Sequence, residues 1–120
     1  MEASSLLERQ LMESERGNEH ILHIFVSNQS VTMTAAKIEV TIDGQQMFYR
    51  EMTTGTQHNW SEVILSVASG HHTIAVIEEK TQTRTAKPVD ANRELWIVVM
   101  FSSPPAKLKL EVFDHPVSFM

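Results

Sequence analysis

The sequence predicts an all-β protein, an antiparallel β-sandwich of about seven to eight strands that follows a short N-terminal helix or a disordered leader. Apolar and polar residues alternate with a period of two in several segments, which is typical of strands that bury one face. Asp43-Gly44 lies between two such segments and predicts a tight hairpin, because a type I′ turn needs positive φ at both central residues. No long helical pattern separates the segments, so a parallel α/β sheet is disfavoured.

The first residues of the chain have a helical rather than an alternating pattern. Ser5 and Glu8 have the spacing of a capping box, and Gly17 is placed to end a helix. We therefore predict a short helix over about residues 5–16; because a helix of this length is marginal in water, a disordered leader is the alternative. The apolar face of this helix is a candidate surface for a homodimer or for another protein partner. It contains Leu6, Leu7, Leu11 and Met12.

The remainder of the chain is predicted to be one β-sandwich domain, residues 20–120, with residues 1–19 as the helix or leader. We expect Ala68-Ser69-Gly70 to turn a second hairpin. The segment 95–101 is apolar on both faces, as expected of a central strand that is covered on both sides, and Pro104-Pro105 forces a loop after it. The strands are predicted near residues 20–27, 37–43, 45–53, 60–67, 71–79, 82–87, 94–102 and 107–113.

The composition is that of an ordinary globular domain. Of the 120 residues, 42% are apolar and 21% are charged, which is enough apolar material for a buried core. The basic residues are scattered singly and the net charge is -5, so nucleic acid is not expected as a partner. The chain has no cysteine, no apolar stretch of membrane-spanning length and no signal-peptide pattern. We therefore expect a cytoplasmic protein that does not contact a membrane.

Two adjacent histidines follow the turn at Gly70. Successive side chains on a strand point to opposite faces, so His71 and His72 cannot both face one ion. We expect one of them to cover the end of the sandwich and the other to meet water. A mixed metal site of His58, His71 and His115 is the weaker alternative, since imidazole suits zinc, copper and nickel but no carboxylate or thiolate stands at a supporting spacing. No cofactor is predicted.

The segment Gln57-His58-Asn59-Trp60 combines amide and imidazole groups with a tryptophan. Such a cluster can stack on a sugar ring and hydrogen-bond its hydroxyls, so His58, Asn59 and Trp60 are candidate ligand-binding residues. Tyr49 is a further candidate. The competing interpretation is that Trp60 opens a strand and packs into the core, while the residues before it order the loop. Trp96 lies in the most apolar segment and is expected in the core or in the packing between the sheets.

The sequence contains no catalytic or nucleotide-binding motif that we can identify. The nucleophile elbow, the P-loop, the dinucleotide-binding fingerprint, the zinc-protease helix and the calcium loop are all absent. Glu78-Glu79 could suggest paired carboxylates, but adjacent residues on a strand diverge. We therefore predict no enzymatic activity and no catalytic residue.

The two turn regions carry a resemblance to a known kind of module. Val40-Thr41-Ile42-Asp43-Gly44, followed by Leu65-Ser66-Val67-Ala68-Ser69-Gly70-His71-His72-Thr73-Ile74-Ala75-Val76, resembles the PEGA and carboxypeptidase-regulatory type of Ig-like β-sandwich. The chain is also similar to small stand-alone proteins built on this sandwich. Thr34-Ala35-Ala36-Lys37 replaces the usual start of a PEGA module, and the chain continues beyond residue 101. The resemblance implies a binding or spacer module without catalytic residues.

Three functional hypotheses follow from the sequence. The leading one is a non-enzymatic binding or structural module that acts through protein–protein contacts, with another protein or a second copy as partner. The second is a small carbohydrate-binding module that uses the loop before Trp60. The third and weakest is a metal protein that uses the three histidines named above.

Overall fold

A computed structural model of the protein describes residues 18–31, 33–54 and 60–118. Within these residues the chain forms strands and no helix. The predicted helix at 5–16, its apolar residues and most of the leader 1–19 lie outside the described residues. The strands are β1 (Glu19–Asn28), β2 (Ala35–Ile42), β3 (Gln45–Thr53), β4 (Trp60–Ala68), β5 (Gly70–Glu78), β6 (Thr83–Ala91), β7 (Leu95–Ser102) and β8 (Lys107–Phe113).

The strands form two four-stranded sheets that pack face to face. The first sheet has the order β4-β1-β7-β8, and the second has the order β3-β2-β5-β6. The prediction of an all-β sandwich with about eight strands is therefore confirmed, and each predicted strand corresponds to an observed one. Of the described strand pairs, β1 and β7 are parallel and the others are antiparallel. Parallel pairing is accessible to β1 and β7 because the long chain between them first builds the second sheet, so no tight turn joins them.

The core lies between the two sheets and is made by alternate residues of their strands. In β1 the residues Leu22, Ile24 and Val26 are fully buried, and their neighbours along the strand point away from the core. The inward residues of the other strands complete one continuous apolar cluster. They include Ile38, Val40, Val67, Ile74, Val76, Val89, Ile97, Val99, Phe101, Leu108 and Leu110.

The turn at Ala68-Ser69-Gly70 does not close a hairpin, so that prediction was wrong. β4 pairs with β1 in the first sheet, whereas β5 pairs with β2 and β6 in the second, and the turn carries the chain from one sheet to the other. Gly70 has φ of 119°, a backbone conformation that side chains with a Cβ rarely adopt. The glycine therefore allows a sharp change of direction, which is equally useful at a corner between sheets and in a hairpin.

The hairpin predicted at Asp43-Gly44 is present between β2 and β3. Asp43 has φ of 52° and Gly44 has φ of 82°, as a type I′ turn requires. β6 extends further than predicted and includes Pro88, which pairs with Thr73. A proline is tolerated there because β6 is an edge strand and its free side needs no N–H donor.

β8 is the other edge of the first sheet, opposite β4, in agreement with the alternating charges of its sequence. The Nζ atom of Lys87, on β6, donates a hydrogen bond to the carbonyl oxygen of Leu110 on β8 at 3.2 Å. This contact joins the two sheets along one side of the sandwich. In the described part of the chain no helix is long and apolar enough to cross a membrane.

Candidate functional site

The outer face of the first sheet differs from an ordinary solvent-facing sheet surface because it is largely apolar. A sheet that packs on one side usually alternates apolar residues inward with polar residues outward. In β1, β4 and β7 several outward positions are apolar or aromatic as well. The outer face of the first sheet consists of Glu19, Ile21, His23 and Phe25 on β1, Trp60, Glu62, Ile64 and Ser66 on β4, Trp96, Val98 and Met100 on β7, and Lys109, Glu111 and Phe113 on β8.

Two isoleucines form the exposed centre of this face, and we name them the isoleucine patch. Ile64 on β4 has 59% of its surface exposed, and Ile21 on β1 has 38% exposed. Ile64 lies opposite His23 and Ile21 lies opposite Ser66, so the two isoleucines are diagonal neighbours on adjacent strands. Large aliphatic side chains at such positions are costly to leave in water, which makes the patch a candidate contact surface.

His23 is fixed beside the patch by an aromatic ring and two carboxylates. Its ring stacks on Trp96 with centroids 5.0 Å apart and planes 2° from parallel. Its Nε2 atom lies 2.6 Å from Oε2 of Glu94, and its Nδ1 atom lies 3.6 Å from Oε2 of Glu62. A carboxylate therefore lies near each ring nitrogen, and the imidazole, stacked on Trp96 and mostly buried, is fixed with acidic groups at its margins.

A further carboxylate borders the patch on the other side. The hydroxyl of Ser66 donates a hydrogen bond to Oε2 of Glu19 at 2.7 Å. Glu19, Glu62 and Glu94 therefore surround the isoleucine patch. No lysine or arginine of the described residues forms a salt bridge with these three carboxylates.

The other half of the same face is crossed by the residues that follow β8. They form a groove of about 410 Å³ against the sheet. His115 packs edge-on against Phe113, with ring centroids 5.6 Å apart, and its Nδ1 atom lies 3.1 Å from Oδ1 of Asp114. The groove thus joins an apolar floor to a few polar groups at its rim. It is lined by Trp60, Val98, Met100, Glu111, Phe113, His115, Pro116, Val117 and Ser118.

The predicted ligand-binding residues are not all brought together. Trp60 is partly buried on the outer face of the first sheet, where it lines the groove; it is not part of the inter-sheet core. Tyr49 lies on the second sheet, opposite Glu39, and its hydroxyl donates a hydrogen bond to Glu79. His58 and Asn59 lie outside the described residues. Trp60 and Tyr49 are on different sheets and therefore do not form one cluster.

The prediction that Trp96 lies in the core or in the packing between the sheets was wrong. Trp96 points away from the inter-sheet core and stacks on His23 at the outer face. The residue pairs with Phe113 on one side and with His23 on the other, so it is half-buried by its neighbours within the sheet rather than by the opposing sheet. A strand that is apolar on both faces can therefore have a core face and a partly exposed face.

The adjacent histidines separate as the strand geometry requires. His71 is on the outer face of the second sheet, where its Nδ1 atom contacts Asp90 and the side chain is 93% exposed. His72 points inward at the end of the sandwich and contacts Asp43 and the carbonyl oxygen of Ala68. The prediction that one histidine covers the sandwich end while the other meets water is confirmed.

The histidines proposed as a metal site have separate partners. His71 contacts Asp90 on the second sheet, whereas His115 follows β8 of the first sheet and contacts Asp114. His58, the third member, is not among the described residues. Among residues 18–31, 33–54 and 60–118, no group of three or more His, Cys, Asp or Glu side chains is placed to hold a metal ion.

The outer face of the second sheet is more polar and has smaller side chains. Ala75 pairs with Ala86 there, and between Glu39, Thr41 and Arg84 these small residues leave a shallow groove of about 590 Å³. Lys37 and Thr73 lie on the same face. Such a surface is typical of a sheet that faces solvent.

The isoleucine patch was missed at the level of sequence, although a signal for it exists. Two segments have apolar residues at both the inward and the outward positions of a strand. They are Ile21-Leu22-His23-Ile24-Phe25-Val26 and Val63-Ile64-Leu65. The alternation that predicts the core uses Leu22, Ile24 and Val26, and it leaves the apolar residues at the alternate positions unassigned. No family model matches the sequence, and no curated protein matches it either.

Proposed function

We propose that the protein is a non-enzymatic binding or structural module that acts through protein–protein contacts, and that the outer face of the first sheet is its contact surface. The observation that carries this proposal is the exposure of Ile64, 59%, in the middle of a sheet face that also contains Ile21 and the stacked rings of His23 and Trp96. Among the described outward residues of the second sheet, Tyr49 is a large exposed side chain, but it carries a hydroxyl that is hydrogen-bonded to Glu79, and no exposed isoleucine lies beside it.

The physical basis is the free energy of covering apolar surface. Complete burial of an isoleucine side chain contributes about 1.5–3 kcal/mol, so a partner that covers the exposed part of Ile64 gains roughly 1–2 kcal/mol from this residue. The stack of His23 on Trp96 is already ordered by contacts within the sheet, so a partner that covers its exposed part causes little further loss of side-chain entropy. Aromatic residues of this kind are enriched at the centres of protein interfaces.

The resemblance to PEGA and carboxypeptidase-regulatory sandwiches agrees with this proposal, because such modules act in binding or as spacers. As part of the same proposal we place the protein in the cytoplasm. Its role would be to present a sheet face to a partner and not to transform a substrate.

A site-specific photo-cross-linking experiment tests the contact surface. p-Benzoylphenylalanine is incorporated in place of Ile64 in the full chain, and the cells that naturally contain the protein are irradiated. We expect a discrete adduct with another polypeptide chain, identified by mass spectrometry. Ile21→Asp in the same chain should abolish the adduct, because it adds a charge at the diagonal neighbour of the probe.

The matched control uses Val31, which is 87% exposed and lies beyond the end of β1. The same photoreactive residue in place of Val31 reports on non-specific contacts of an exposed apolar position. If position 64 gives no more adduct than position 31, the outer face of the first sheet is not the contact surface.

Carbohydrate binding is a second candidate function, favoured by the position of Trp60 in the groove beside Glu111 and His115. An indole ring with a carboxylate and an imidazole nearby can stack on a sugar and accept or donate hydrogen bonds to hydroxyls. A glycan array followed by titration of tryptophan fluorescence tests this function. The change should disappear in Trp60→Leu and remain in Tyr49→Phe, and a flat response on the array removes the candidate.

A further inference from the structure

The four edge strands of the sandwich are not protected equally. An edge strand exposes unpaired N–H and C=O groups, and proteins usually block such edges with lysine, proline or bulges. β8 carries Lys107 and Lys109 within its seven residues, and the ammonium group of Lys87 occupies the carbonyl oxygen of Leu110. This edge is well guarded against pairing with another chain.

The two edges of the second sheet are protected as well. β6 contains Pro88, which has no N–H to donate, together with the exposed Arg84. β3 contains the exposed Arg50 and Glu51, and the β2–β3 ladder has a register shift between Val40 and Thr41. A bulge of this kind increases the local twist of the edge, which disfavours the addition of another strand.

β4 contains no lysine, proline or register shift of its own. The contact it receives from the opposite sheet is a hydrogen bond from the guanidinium of Arg50 to the side-chain hydroxyl of Ser61 at 2.8 Å, which leaves the backbone groups of β4 open. It is nine residues long, and its only charged residue is Glu62. Its ladder with β1 runs without a register shift from Glu19 opposite Ala68 to Ser27 opposite Trp60. In the described part of the chain no strand pairs with the other side of β4, which ends the first sheet.

The hydrogen-bond pattern identifies which backbone groups lie on this open side. The N–H of Ser69 donates to the carbonyl oxygen of Asn18, so Asn18 and Ser69 are a hydrogen-bonded pair. Such pairs alternate with non-hydrogen-bonded pairs along an antiparallel ladder. Glu62, Ile64 and Ser66 therefore belong to non-hydrogen-bonded pairs with β1, and their N–H and C=O groups point to the open edge. Their side chains are on the outer face of the sheet.

We propose that β4 pairs antiparallel with β4 of a second copy of this chain, about a two-fold axis at Ile64, and that the two first sheets become one continuous eight-stranded sheet. Ile64 is the middle residue of β4, so this register gives the longest overlap of the two strands. It places Ile64 opposite Ile64 of the second copy and Glu62 opposite Ser66 of the second copy. An interface with the same surface on both subunits is the commonest form of a homodimer.

The side chains in this register are complementary. The isoleucines form an apolar cross-strand pair, and Glu62 lies opposite the uncharged Ser66, so no two like charges stand directly opposite each other. A register centred on Glu62 would instead place two carboxylates opposite each other, which is unfavourable. Registers centred further along the strand shorten the overlap and separate the isoleucines.

The pairing uses a different surface from the predicted leucine face of residues 5–16. It also does not depend on the proposed partner of the outer face, because it is made by backbone groups at the edge of the sheet. In the paired form the isoleucine patches of the two copies would lie side by side and give one larger apolar surface.

Engineered cysteines test the register directly, since the chain has no cysteine of its own. Residues directly opposite each other in a hydrogen-bonded pair have Cα atoms about 5.5 Å apart, within the range of a disulfide. We expect Ile64→Cys in the full chain to form an intermolecular disulfide at least about tenfold faster than the exposed control Val31→Cys under the same mild oxidation.

A mixture of two different cysteine variants distinguishes this register from random collisions between chains. Chains with Glu62→Cys should link to chains with Ser66→Cys, whereas each variant alone should link slowly, because residue 62 of one copy is about 13 Å along the strand from residue 62 of the other. If Ile64→Cys links no faster than Val31→Cys, or if the mixed pair shows no preference over the single variants, the proposed pairing is wrong.

Sedimentation of proline and alanine variants provides an independent measurement. Ser66→Pro removes an N–H at the open edge and no ladder bond to β1, whereas Ser66→Ala changes the side chain and keeps the N–H. We expect the unmodified chain and Ser66→Ala to be dimers at about 100 μM and Ser66→Pro to be a monomer. Ile64→Lys places two ammonium groups opposite each other at the two-fold axis, so this variant should also be a monomer. It replaces Ser66→Pro in the experiment if circular dichroism shows that Ser66→Pro does not fold. A monomeric unmodified chain, or a dimer that survives in the folded variants, overturns the proposal.

Discussion

The imidazole of His72 is held by the carboxylate of Asp43, with its Nδ1 atom 2.6 Å from Oδ2. The other ring nitrogen, Nε2, lies 2.6 Å from the carbonyl oxygen of Ala68, and the second carboxylate oxygen of Asp43 accepts the N–H of Thr73 at 2.9 Å. Both ring nitrogens therefore face acceptors, and only the protonated imidazolium can donate to both. The contact connects the β2–β3 turn to the corner between β4 and β5.

The first prediction concerns the pH dependence of this contact. The hydrogen bond to Ala68 and then that to Asp43 raise the pKa of His72 above 6.5, and His72 and Thr73 lower the pKa of Asp43 below 3.8. The stabilisation from His72 is fully present below pH 6.5 and is lost as the pH rises through its raised pKa. That from Asp43 is present above pH 3.8 and is lost as the pH falls through its lowered pKa. We expect the contact to stabilise the fold most between these two values.

Thermal unfolding of His72→Gln tests whether the stabilisation from His72 is lost as the pH rises. The melting temperature should fall by about 3 °C relative to the unmodified chain at pH 5.5, and by less as the pH rises through the raised pKa of His72. His71→Gln is the control, since His71 is exposed on the opposite face of the same strand. A loss for His72→Gln that grows with pH would contradict the assignment of a protonated ring.

A buried carboxylate gives the second prediction. Glu78 has no exposed surface, and it accepts the N–H of Lys37 at 2.8 Å and both the N–H and the hydroxyl of Thr81 at 2.7 and 2.8 Å. Burial would raise the pKa of Glu78, but these donors outweigh it and hold the pKa below 4.5. Glu78→Ala leaves several donors without a partner and should lower the free energy of unfolding by about 2–4 kcal/mol at pH 7.

Chemical denaturation measures this loss, with Glu51→Ala as the control because Glu51 is exposed on β3. The control should change the free energy of unfolding by less than about 0.5 kcal/mol. Because the pKa of Glu78 is lowered on folding, the difference between Glu78→Ala and the unmodified chain should shrink as the pH falls below 4.5. A pH-independent difference would mean that lost packing, not the charge, causes it.

Local chemistry in the sequence was sufficient to predict most of the strands. The alternation around Ile38 and Leu108 locates β2 and β8, and Asp43-Gly44 determines the hairpin because few dipeptides accept positive φ twice. The prediction ended β6 at residue 87, just before Pro88, whereas the strand continues to Ala91; a proline is acceptable there because β6 is an edge strand, and the position of a strand at an edge is not a local property.

Long-range pairing could not be predicted in the same way. The glycine turn at Gly70 is compatible both with a hairpin and with a corner between sheets, and the choice depends on which strands β4 and β5 find as partners. The parallel pairing of β1 with β7 depends on the same kind of distant contact. The isoleucine patch follows from these pairings, because Ile21 and Ile64 become neighbours only when β1 lies beside β4.

Of the candidate site residues, the sequence placed Trp60 at the start of a strand but could not say which side of the sheet it faces. Tyr49, in β3, and Trp60, at the start of β4, were both candidate ligand-binding residues. They separate because the chain passes from the second sheet to the first between them. His71 and His115 are kept apart by the same division into two sheets.

A buried amide gives the third prediction. Asn28 is fully buried at the end of β1, where its Nδ2 atom donates to the carbonyl oxygens of Met33 and Met52 at 3.1 and 3.0 Å and its Oδ1 atom accepts the N–H of Ser30. Asn28→Asp keeps the size of the side chain but turns an acceptor toward two carbonyl oxygens. We expect the free energy of unfolding at pH 7 to fall by about 2–4 kcal/mol.

Urea denaturation measures the free energy of unfolding of Asn28→Asp. Asn92→Asp at an exposed turn is the matched control, and its free energy of unfolding should change by less than about 0.5 kcal/mol. Equal losses in the two variants would show that the general effect of added negative charge, and not the buried amide, determines the result.

The two described glycines with positive φ should respond differently to the same substitutions. Gly44 has φ of 82°, near the left-handed helical region that asparagine tolerates, whereas Gly70 has φ of 119°, which is outside it. No atom lies within 4 Å of a Cβ built at either glycine, so backbone strain rather than collision determines the cost. We expect Gly44→Ala to lower the free energy of unfolding by about 1 kcal/mol, Gly44→Asn to lower it by less, and both Gly70→Ala and Gly70→Asn to lower it by about 1–2 kcal/mol. Guanidinium denaturation measures the free energy of unfolding of the four variants. If Gly70→Asn lowers it as little as Gly44→Asn does, the chain at residue 70 adopts an ordinary left-handed turn and not the more extended corner between the two sheets.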